Sequence, residues 1–114
     1  MELNLLQDEP DLSNNFYAKI INTNEFMMTN LCDEEQIDKK ISHGDVEIDI
    51  SKNYFADELI SEVRAIELLE NSDVLNLVGR RIIDLAVHNE LASKKSIKIY
   101  NNVPFLLIYN FKSG

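Results

Sequence analysis

Hydrophobic and polar residues alternate along the first half of the chain in the way that is typical of β-strands. Aromatic and β-branched residues over positions 16–21 and 25–31 flank a short polar connection, which predicts a β-hairpin. Apolar residues and acids alternate strictly over positions 46–50, which predicts a strand with one core face and one solvent face. Between these strands, Asp33 and Gln36 have the spacing of a capping box, so we expect a helical turn that continues to about residue 41.

The second half of the chain changes to an apolar spacing of three and four residues, which predicts two consecutive helices. The first covers residues 62–70 behind a Ser61 cap, and the second covers residues 74–90. Residues 96–100 then alternate as a strand, and an Asn-Asn turn leads to a last strand over residues 103–111. This last strand is apolar on both faces, so we expect it to lie centrally in a sheet or under another subunit.

These elements predict an α+β fold, a two-layer sandwich in which a mostly antiparallel sheet of about five strands packs against two consecutive helices. Residues 1–15 are predicted to form an acidic N-terminal extension, and residues 16–114 a single α+β domain. With 114 residues, of which 45% are hydrophobic, the chain is long and apolar enough for one core. No apolar run is long enough to span a bilayer, and the N-terminus lacks the basic region of a secretory signal.

The second predicted helix carries the strongest candidate for a binding surface. Its polar residues recur at every fourth position and therefore form one stripe, which consists of Asn76, Arg80, Asp84 and His88. Gly79 lies inside the same predicted helix, where glycine costs about 1 kcal/mol relative to alanine. Its presence suggests that a partner or another helix approaches the backbone closely at this point.

The two arginines that follow Gly79 allow an external and an internal interpretation. In the external one, the guanidinium groups of Arg80 and Arg81 offer forked donors to a phosphate or a carboxylate of a partner. In the internal one, Gly79 packs against the preceding helix and Arg81 pairs with an acid of the sheet. Arg80 then pairs with Asp84 one turn along the helix.

Charge divides the chain into two unequal parts. The formal net charge is -9, and residues 1–79 hold 5 basic and 18 acidic side chains. Residues 80–114 hold 6 basic and 2 acidic side chains, so they could present a basic patch on an acidic body. RNA could then bind with its phosphates on Arg80, Arg81, Lys94, Lys95 and Lys98, and with Tyr100 available for stacking. In the alternative, the two parts interleave in the fold and neutralise each other.

Catalytic and metal-binding signatures are sparse in this sequence. Cys32 is the only cysteine, which excludes an internal disulfide and fits a reducing cytoplasm. Cys32 could act as a nucleophile at a helix N-terminus, but the adjacent carboxylates oppose a thiolate, and a buried structural cysteine is the alternative. Neither His43 nor His88 has partners at metal-ligand spacing, and the glycine-rich loops that bind phosphates or dinucleotides are absent. The sequence therefore predicts no metal and no cofactor.

Several short motifs stand in the order that is typical of one archaeal family. They are Cys32-Asp33-Glu34-Glu35, Ser51-Lys52-Asn53-Tyr54-Phe55, Glu58-Leu59-Ile60-Ser61, Asn76-Leu77-Val78-Gly79 and Val103-Pro104. Over roughly residues 16–111 the chain resembles the family catalogued as domain of unknown function 424. The resemblance implies an archaeal, cytoplasmic, single-domain α+β protein and brings no activity, substrate or cofactor with it. Relatives usually have glycine-rich pairs after the Phe55 position and a histidine at the Phe105 position, and this chain departs from both patterns.

The absence of a catalytic constellation favours a non-catalytic binding or interaction module that acts in the cytoplasm on a protein partner. The polar stripe and the doubly apolar last strand are its predicted surfaces, and the last strand could also close a homodimer. The alternative is an RNA-binding protein that uses the basic C-terminal third. A third and less favoured hypothesis is an enzyme with Cys32 as nucleophile. Association with a membrane is not expected.

Overall fold

A computed structural model of the protein describes residues 14–92 and 94–110. The strands are β1 (Asn14–Asn22), β2 (Met27–Asp33), β3 (Lys40–His43), β4 (Val46–Asp49), β5 (Glu58–Ser61), β6 (Val74–Val78), β7 (Lys98–Tyr100) and β8 (Val103–Tyr109). The helices are α1 (Lys52–Phe55), α2 (Glu62–Asn71) and α3 (Arg80–His88), and short 3-10 turns cover Glu34–Gln36 and Lys94–Ser96. The predicted α+β class is confirmed.

Six strands form one sheet in the order β5-β1-β2-β6-β8-β7, and β3 and β4 form a separate hairpin. Within the large sheet β2 and β6 are parallel, whereas the other neighbouring pairs are antiparallel. The prediction of about five strands is therefore wrong in number. The sequence pattern does not reveal three of the strands, because β3 and β6 overlap segments that are predicted to be helical and no strand is predicted at β5.

The predicted helix over residues 74–90 is wrong in its first part. Residues Val74–Val78 form β6, which lies inside the sheet between β2 and β8, and α3 begins only at Arg80. Asn76 therefore lies on a strand, and the predicted helical stripe loses its first member. A strand that is covered on both faces is almost continuously apolar, so periodicity alone does not distinguish it from a buried helix.

The predicted helical turn from Asp33 to about residue 41 is also wrong. Only Glu34–Gln36 form a 3-10 turn, and the Asp33 side chain makes no capping hydrogen bond to it. Residues Lys40–His43 are strand β3, which pairs with β4. The capping-box spacing failed because the Asp33 carboxylate is used by a different helix.

Three other predictions of secondary structure are confirmed. The β1–β2 hairpin forms, with the two strands paired along their length. Helix α2 begins after Ser61, whose Oγ accepts a hydrogen bond from the backbone N–H of Arg64 at 3.3 Å. Strand β8 lies between β6 and β7, which explains why its sequence is apolar at successive positions.

Side chains of the large sheet enter two separate hydrophobic cores, because successive residues of a strand point to opposite faces. The larger core joins the sheet to α2 and α3 and includes Leu31, Leu75 and Leu106. The smaller core lies on the opposite face, where Cys32 and Val78 pack against residues of α1 and the β3–β4 hairpin. The predicted two-layer sandwich is not confirmed, because elements cover parts of both faces of the sheet.

Candidate functional site

The N-terminus of α3 is closed by a carboxylate that comes from another part of the fold. Asp33 ends β2, and its side chain accepts hydrogen bonds from the backbone N–H groups of Arg81 and Ile82, both at 2.8 Å. The first N–H groups of a helix lack intrahelical partners and lie at the positive end of the helix dipole, so they favour an anion. Since Asp33 is 1% exposed, the protein fills the anion site of α3 from within.

Gly79 allows this close contact. It precedes α3 with a φ of 117°, a conformation that side chains rarely adopt. A Cβ atom at this position would lie 2.4 Å from both Cγ and Oδ2 of Asp33. The Gly79 N–H also donates to the carbonyl of Pro104 at 3.0 Å, so β8 holds the same turn. Gly79 thus makes room for Asp33, and not for the preceding helix.

Arg81 connects three parts of the chain near this turn. Its guanidinium forms an ion pair with both carboxylate oxygens of Glu35, and the Nε–Oε2 distance is 2.9 Å. The same group donates to the backbone carbonyl of Asn15 at 2.9 Å and lies 4.9 Å from the centroid of the Phe16 ring. The internal interpretation holds for Arg81, although the acid stands directly after β2 and not within the sheet.

Burial and hydrogen bonding have opposite effects on the acids of this cluster. The pKa of the Asp33 carboxyl is raised, because the effect of burial outweighs that of the hydrogen bonds from Arg81 and Ile82, which lower it. The side-chain hydrogen bond from Arg81 lowers the pKa of Glu35, and the same bond raises the pKa of Arg81. Glu35 and Arg81 are therefore both charged at neutral pH, and each compensates the other.

A groove of about 590 Å³ lies beside this cluster, between α2, α3 and the start of β1. Its volume lies within the range that is common for ligand sites. Residues Phe16, Leu85 and Val87 give it an apolar floor, and the polar side chains of Glu62, Arg81, Asp84 and His88 line its walls. The structure therefore brings Arg81, Asp84 and His88 of the predicted site together. We name this cavity the α2–α3 groove.

The α2–α3 groove carries uncompensated negative charge. The carboxylates of Glu62 and Asp84 form no ion pair with any cation in residues 14–92 and 94–110, whereas Arg81 is neutralised by Glu35. Nothing in the sequence singled out Glu62 or Phe16 for this site. Their proximity to α3 depends on how β1, β5 and α2 assemble, which local patterns do not reveal.

The remaining residues of the predicted site lie elsewhere. Asn76 is on the face of the sheet away from α3, because its neighbours Leu75 and Leu77 enter the core on the helix side. Arg80 is exposed and forms no ion pair with Asp84, so the internal interpretation is wrong for this residue. It lines a small cavity beside β7 instead.

The basic residues predicted to contact RNA do not collect on one surface. Lys98 pairs in register with Phe105 and shares its face of the sheet, which is opposite to α3 and Arg80. Lys95 lies in the 3-10 turn before β7, and the side chain of Lys94 lies outside the part of the chain that the structure describes. RNA binding through this set stays a prediction.

Tyr100 and Cys32, which the sequence suggested for base stacking and for nucleophilic attack, both pack against other residues of the fold. The Tyr100 ring lies 4.9 Å from the His43 ring and 5.5 Å from the Phe105 ring, between centroids. Cys32 is fully buried in the smaller core, and its Sγ donates to the carbonyl of Asp33 at 3.1 Å. Burial raises the pKa of Cys32 to about 12, so the geometry supports a protonated structural thiol and not a nucleophile.

No group of three or more His, Cys, Asp or Glu side chains could hold a metal ion within residues 14–92 and 94–110. The same part of the chain contains no helix that is long and apolar enough to cross a membrane.

Comparison with known proteins places the chain in a family. Residues 12–111 match the profile of the family described as "Protein of unknown function (DUF424)". The chain belongs to this family. The match confirms the resemblance that the short motifs indicate. In this member of the DUF424 family, the Cys32–Glu35 and Asn76–Gly79 motifs meet where the Asp33 carboxylate enters the turn at Gly79.

One solved structure shows the same fold. The chain is similar to the crystal structure of an uncharacterized conserved protein from Methanopyrus kandleri, with a TM-score of 0.73 and 19% sequence identity. The similarity covers 88% of this chain and 99% of that chain. At this identity the likeness shows the fold alone. No curated protein matches the sequence.

Proposed function

We propose that this DUF424 protein is a non-catalytic interaction module of the cytoplasm, which binds a basic segment of a protein partner in the α2–α3 groove. The observation that carries the proposal is the pair of carboxylates, Glu62 and Asp84, that have no cation partner in the described residues. Unpaired acids beside an apolar floor are complementary to Arg or Lys side chains, whose stems are apolar and whose heads are charged.

The positively charged groups near the groove are already paired with carboxylates of the protein itself, which supports a basic ligand and not an acidic one. The N-terminus of α3 would attract an anion, but the Asp33 carboxylate already occupies it. The Arg81 guanidinium would attract one too, but Glu35 neutralises it on both forked donors. The negative charge of Glu62 and Asp84 is what the groove offers to a partner.

The affinity expected for such a ligand is modest. Ion pairs at exposed positions contribute only about 0.2–1 kcal/mol each. Contact of apolar stems with Phe16 and Leu85 adds roughly 25 cal/mol for each Å² that is buried. Two such ion pairs and a small apolar contact supply only a few kcal/mol, so we expect a dissociation constant of roughly 1 mM, which is the range of a transient interaction.

Fluorescence anisotropy with a labelled tetra-arginine peptide tests this proposal. The groove variant is Glu62→Gln with Asp84→Asn, and the matched control is Glu58→Gln with Glu70→Gln, which removes the same charge at exposed positions of β5 and α2. We expect the groove variant to bind at least fivefold more weakly than the control, which retains the affinity of the wild-type protein.

The control variant distinguishes specific binding in the groove from general electrostatic attraction between the peptide and an acidic protein. If both double variants weaken binding equally, the general charge of the chain holds the peptide and the proposal fails. It also fails if the wild-type protein binds a tetra-glutamate peptide equally well. Labelled oligouridine in the same assay tests the RNA prediction, which requires binding that falls steeply with salt.

A further inference from the structure

The face of the sheet opposite α2 and α3 carries two asparagine side chains near its centre. Asn30 on β2 and Asn76 on β6 are register partners in parallel strands, so their Cα atoms lie about 4.8 Å apart. Their neighbours Leu31 and Leu77 enter the helix-side core, which directs both amides to the opposite face. Asparagine is depleted in strands, so two in register in the interior of a sheet need a physical reason.

The two amides differ in their hydrogen bonds. Asn30 is 6% exposed, and its Nδ2 donates to the carbonyl of Tyr54 in α1 at 2.8 Å. Asn76 is half-buried, and its side chain makes no hydrogen bond to the residues that the structure describes. An amide offers two donor hydrogens and an acceptor oxygen, so Asn76 has a complete set available to a ligand.

Two cavities meet at Asn76. One of about 240 Å³ lies between the sheet and α1 and is lined by Asn30 and Phe105 as well as Asn76. The other, of about 320 Å³, extends from Asn76 and Phe105 across β8 to Tyr109 and Lys98. The cavities share Asn76 and Phe105, so they adjoin, and together we call them the depression. Lys98 lines one end of the depression, and the carboxylate of Asp49 lines the other.

We infer that this depression binds an adenine nucleoside monophosphate. A carboxamide is complementary to adenine, since it donates to N7 and accepts from the N6 amino group. The rings of Phe105 and Tyr109 provide apolar surfaces on which a base stacks.

We expect the phosphate to bind at the far end of the depression, beside Lys98. This lysine lies two strands away from Asn76, a separation of roughly 10 Å, with the ribose and phosphate spanning β8. Lys98 is the cation that lines this end, and one ammonium group suits one phosphate better than the three phosphates of a nucleoside triphosphate. This site lies on the opposite face of the sheet from the α2–α3 groove, so the two proposed sites are tested independently.

Isothermal titration calorimetry with AMP tests the inference on Asn76. We expect the wild-type protein to bind AMP with a dissociation constant of roughly 100 µM. Asn76→Leu keeps the branched shape of the side chain but removes the amide, so it should weaken binding at least tenfold. The matched control, Asn22→Leu at the exposed end of β1, should bind as the wild-type protein does. Urea unfolding of each variant verifies that it is folded.

A second pair of variants tests the phosphate end of the site. Lys98→Gln should lower the affinity for AMP to that for adenosine and leave adenosine binding unchanged, whereas Lys40→Gln on the β3–β4 hairpin should change neither. Absence of saturable heat at about 5 mM AMP, a fiftyfold excess over the expected constant, overturns the inference. Equal binding of UMP, or wild-type affinity in a folded Asn76→Leu variant, overturns it as well.

Discussion

Substitution of Gly79 by alanine is the most severe test of the contact between β2 and α3. The new Cβ atom would lie 2.4 Å from Cγ and 2.4 Å from Oδ2 of Asp33, and 2.8 Å from its Cβ. These are separations that side-chain atoms do not tolerate, so the Asp33 carboxylate must move. Its hydrogen bonds to the N–H groups of Arg81 and Ile82 would then lengthen or break.

The expected loss of stability has two sources. Holding alanine at the φ of Gly79, 117°, costs about 1–3 kcal/mol in backbone strain. Forcing an extra carbon against a buried side chain, with weakening of charge-assisted hydrogen bonds, adds about 2–4 kcal/mol. We therefore expect Gly79→Ala to lower the free energy of unfolding by about 3–7 kcal/mol, a large share of the stability of a domain of this size.

Gly44→Ala is the matched control for this substitution. Gly44 has a φ of 63°, but a Cβ atom there would meet no heavy atom within 4 Å. Only backbone strain of about 1–2 kcal/mol applies at that position. Urea unfolding followed by circular dichroism measures both variants, with a midpoint roughly 2 M lower for Gly79→Ala than for the wild-type protein. Equal losses in the two variants would refute the close contact with Asp33.

Three further predictions concern the neighbouring residues. The lowered pKa of Glu35 stabilises the fold above its ordinary value of 4.5, and this contribution is lost as pH falls further. Urea unfolding should thus show Glu35→Gln less stable than the wild-type protein by about 0.5–1 kcal/mol at neutral pH, and the difference should shrink as pH falls below 4.5. A pH-independent difference would be inconsistent with an ionic origin. Arg81→Lys should cost about 1 kcal/mol in the same assay, because lysine lacks the forked donors that hold Glu35, whereas Arg80→Lys should cost nothing measurable. Similar losses in the two variants would argue against a stabilising ion pair between Arg81 and Glu35. Iodoacetamide should modify Cys32 at neutral pH at least a hundredfold more slowly in the native protein than in urea, since the thiol is buried and its pKa is about 12; comparable rates would show that the thiol is accessible.

The sequence predicts those parts of the fold that depend on neighbouring residues in the chain. Alternation and turn residues are sufficient for the β1–β2 hairpin, and the hydroxyl of Ser61 marks the start of α2. Strand β6 could not be recognised in this way, because it is covered on both faces and is followed directly by a helix. Asn76 and Arg80 are four residues apart, which is a helical repeat, so the predicted helix wrongly includes the strand. Gly79 marked the true boundary, since glycine is accepted at an N-cap and disfavoured inside a helix.

The candidate site was predicted only in part for a similar reason. Arg81, Asp84 and His88 share one side of α3, which their spacing reveals. The partners of Arg81 and the carboxylate beside α3 come from residues that are far away in sequence, so no local pattern could identify them. The same distance hid the role of Asp33, which has the spacing of a local cap but caps a helix that begins 47 positions later.

Chemical-shift mapping can decide whether the α2–α3 groove is the binding surface. A two-dimensional ¹H–¹⁵N spectrum of the labelled protein would be recorded during titration with the tetra-arginine peptide. We predict saturable shifts that cluster at Phe16, Glu62 and residues 84–88, while Asn76 and Lys98 on the opposite face remain unchanged. Shifts that do not saturate, or that spread evenly over the acidic surface, would contradict binding in the groove.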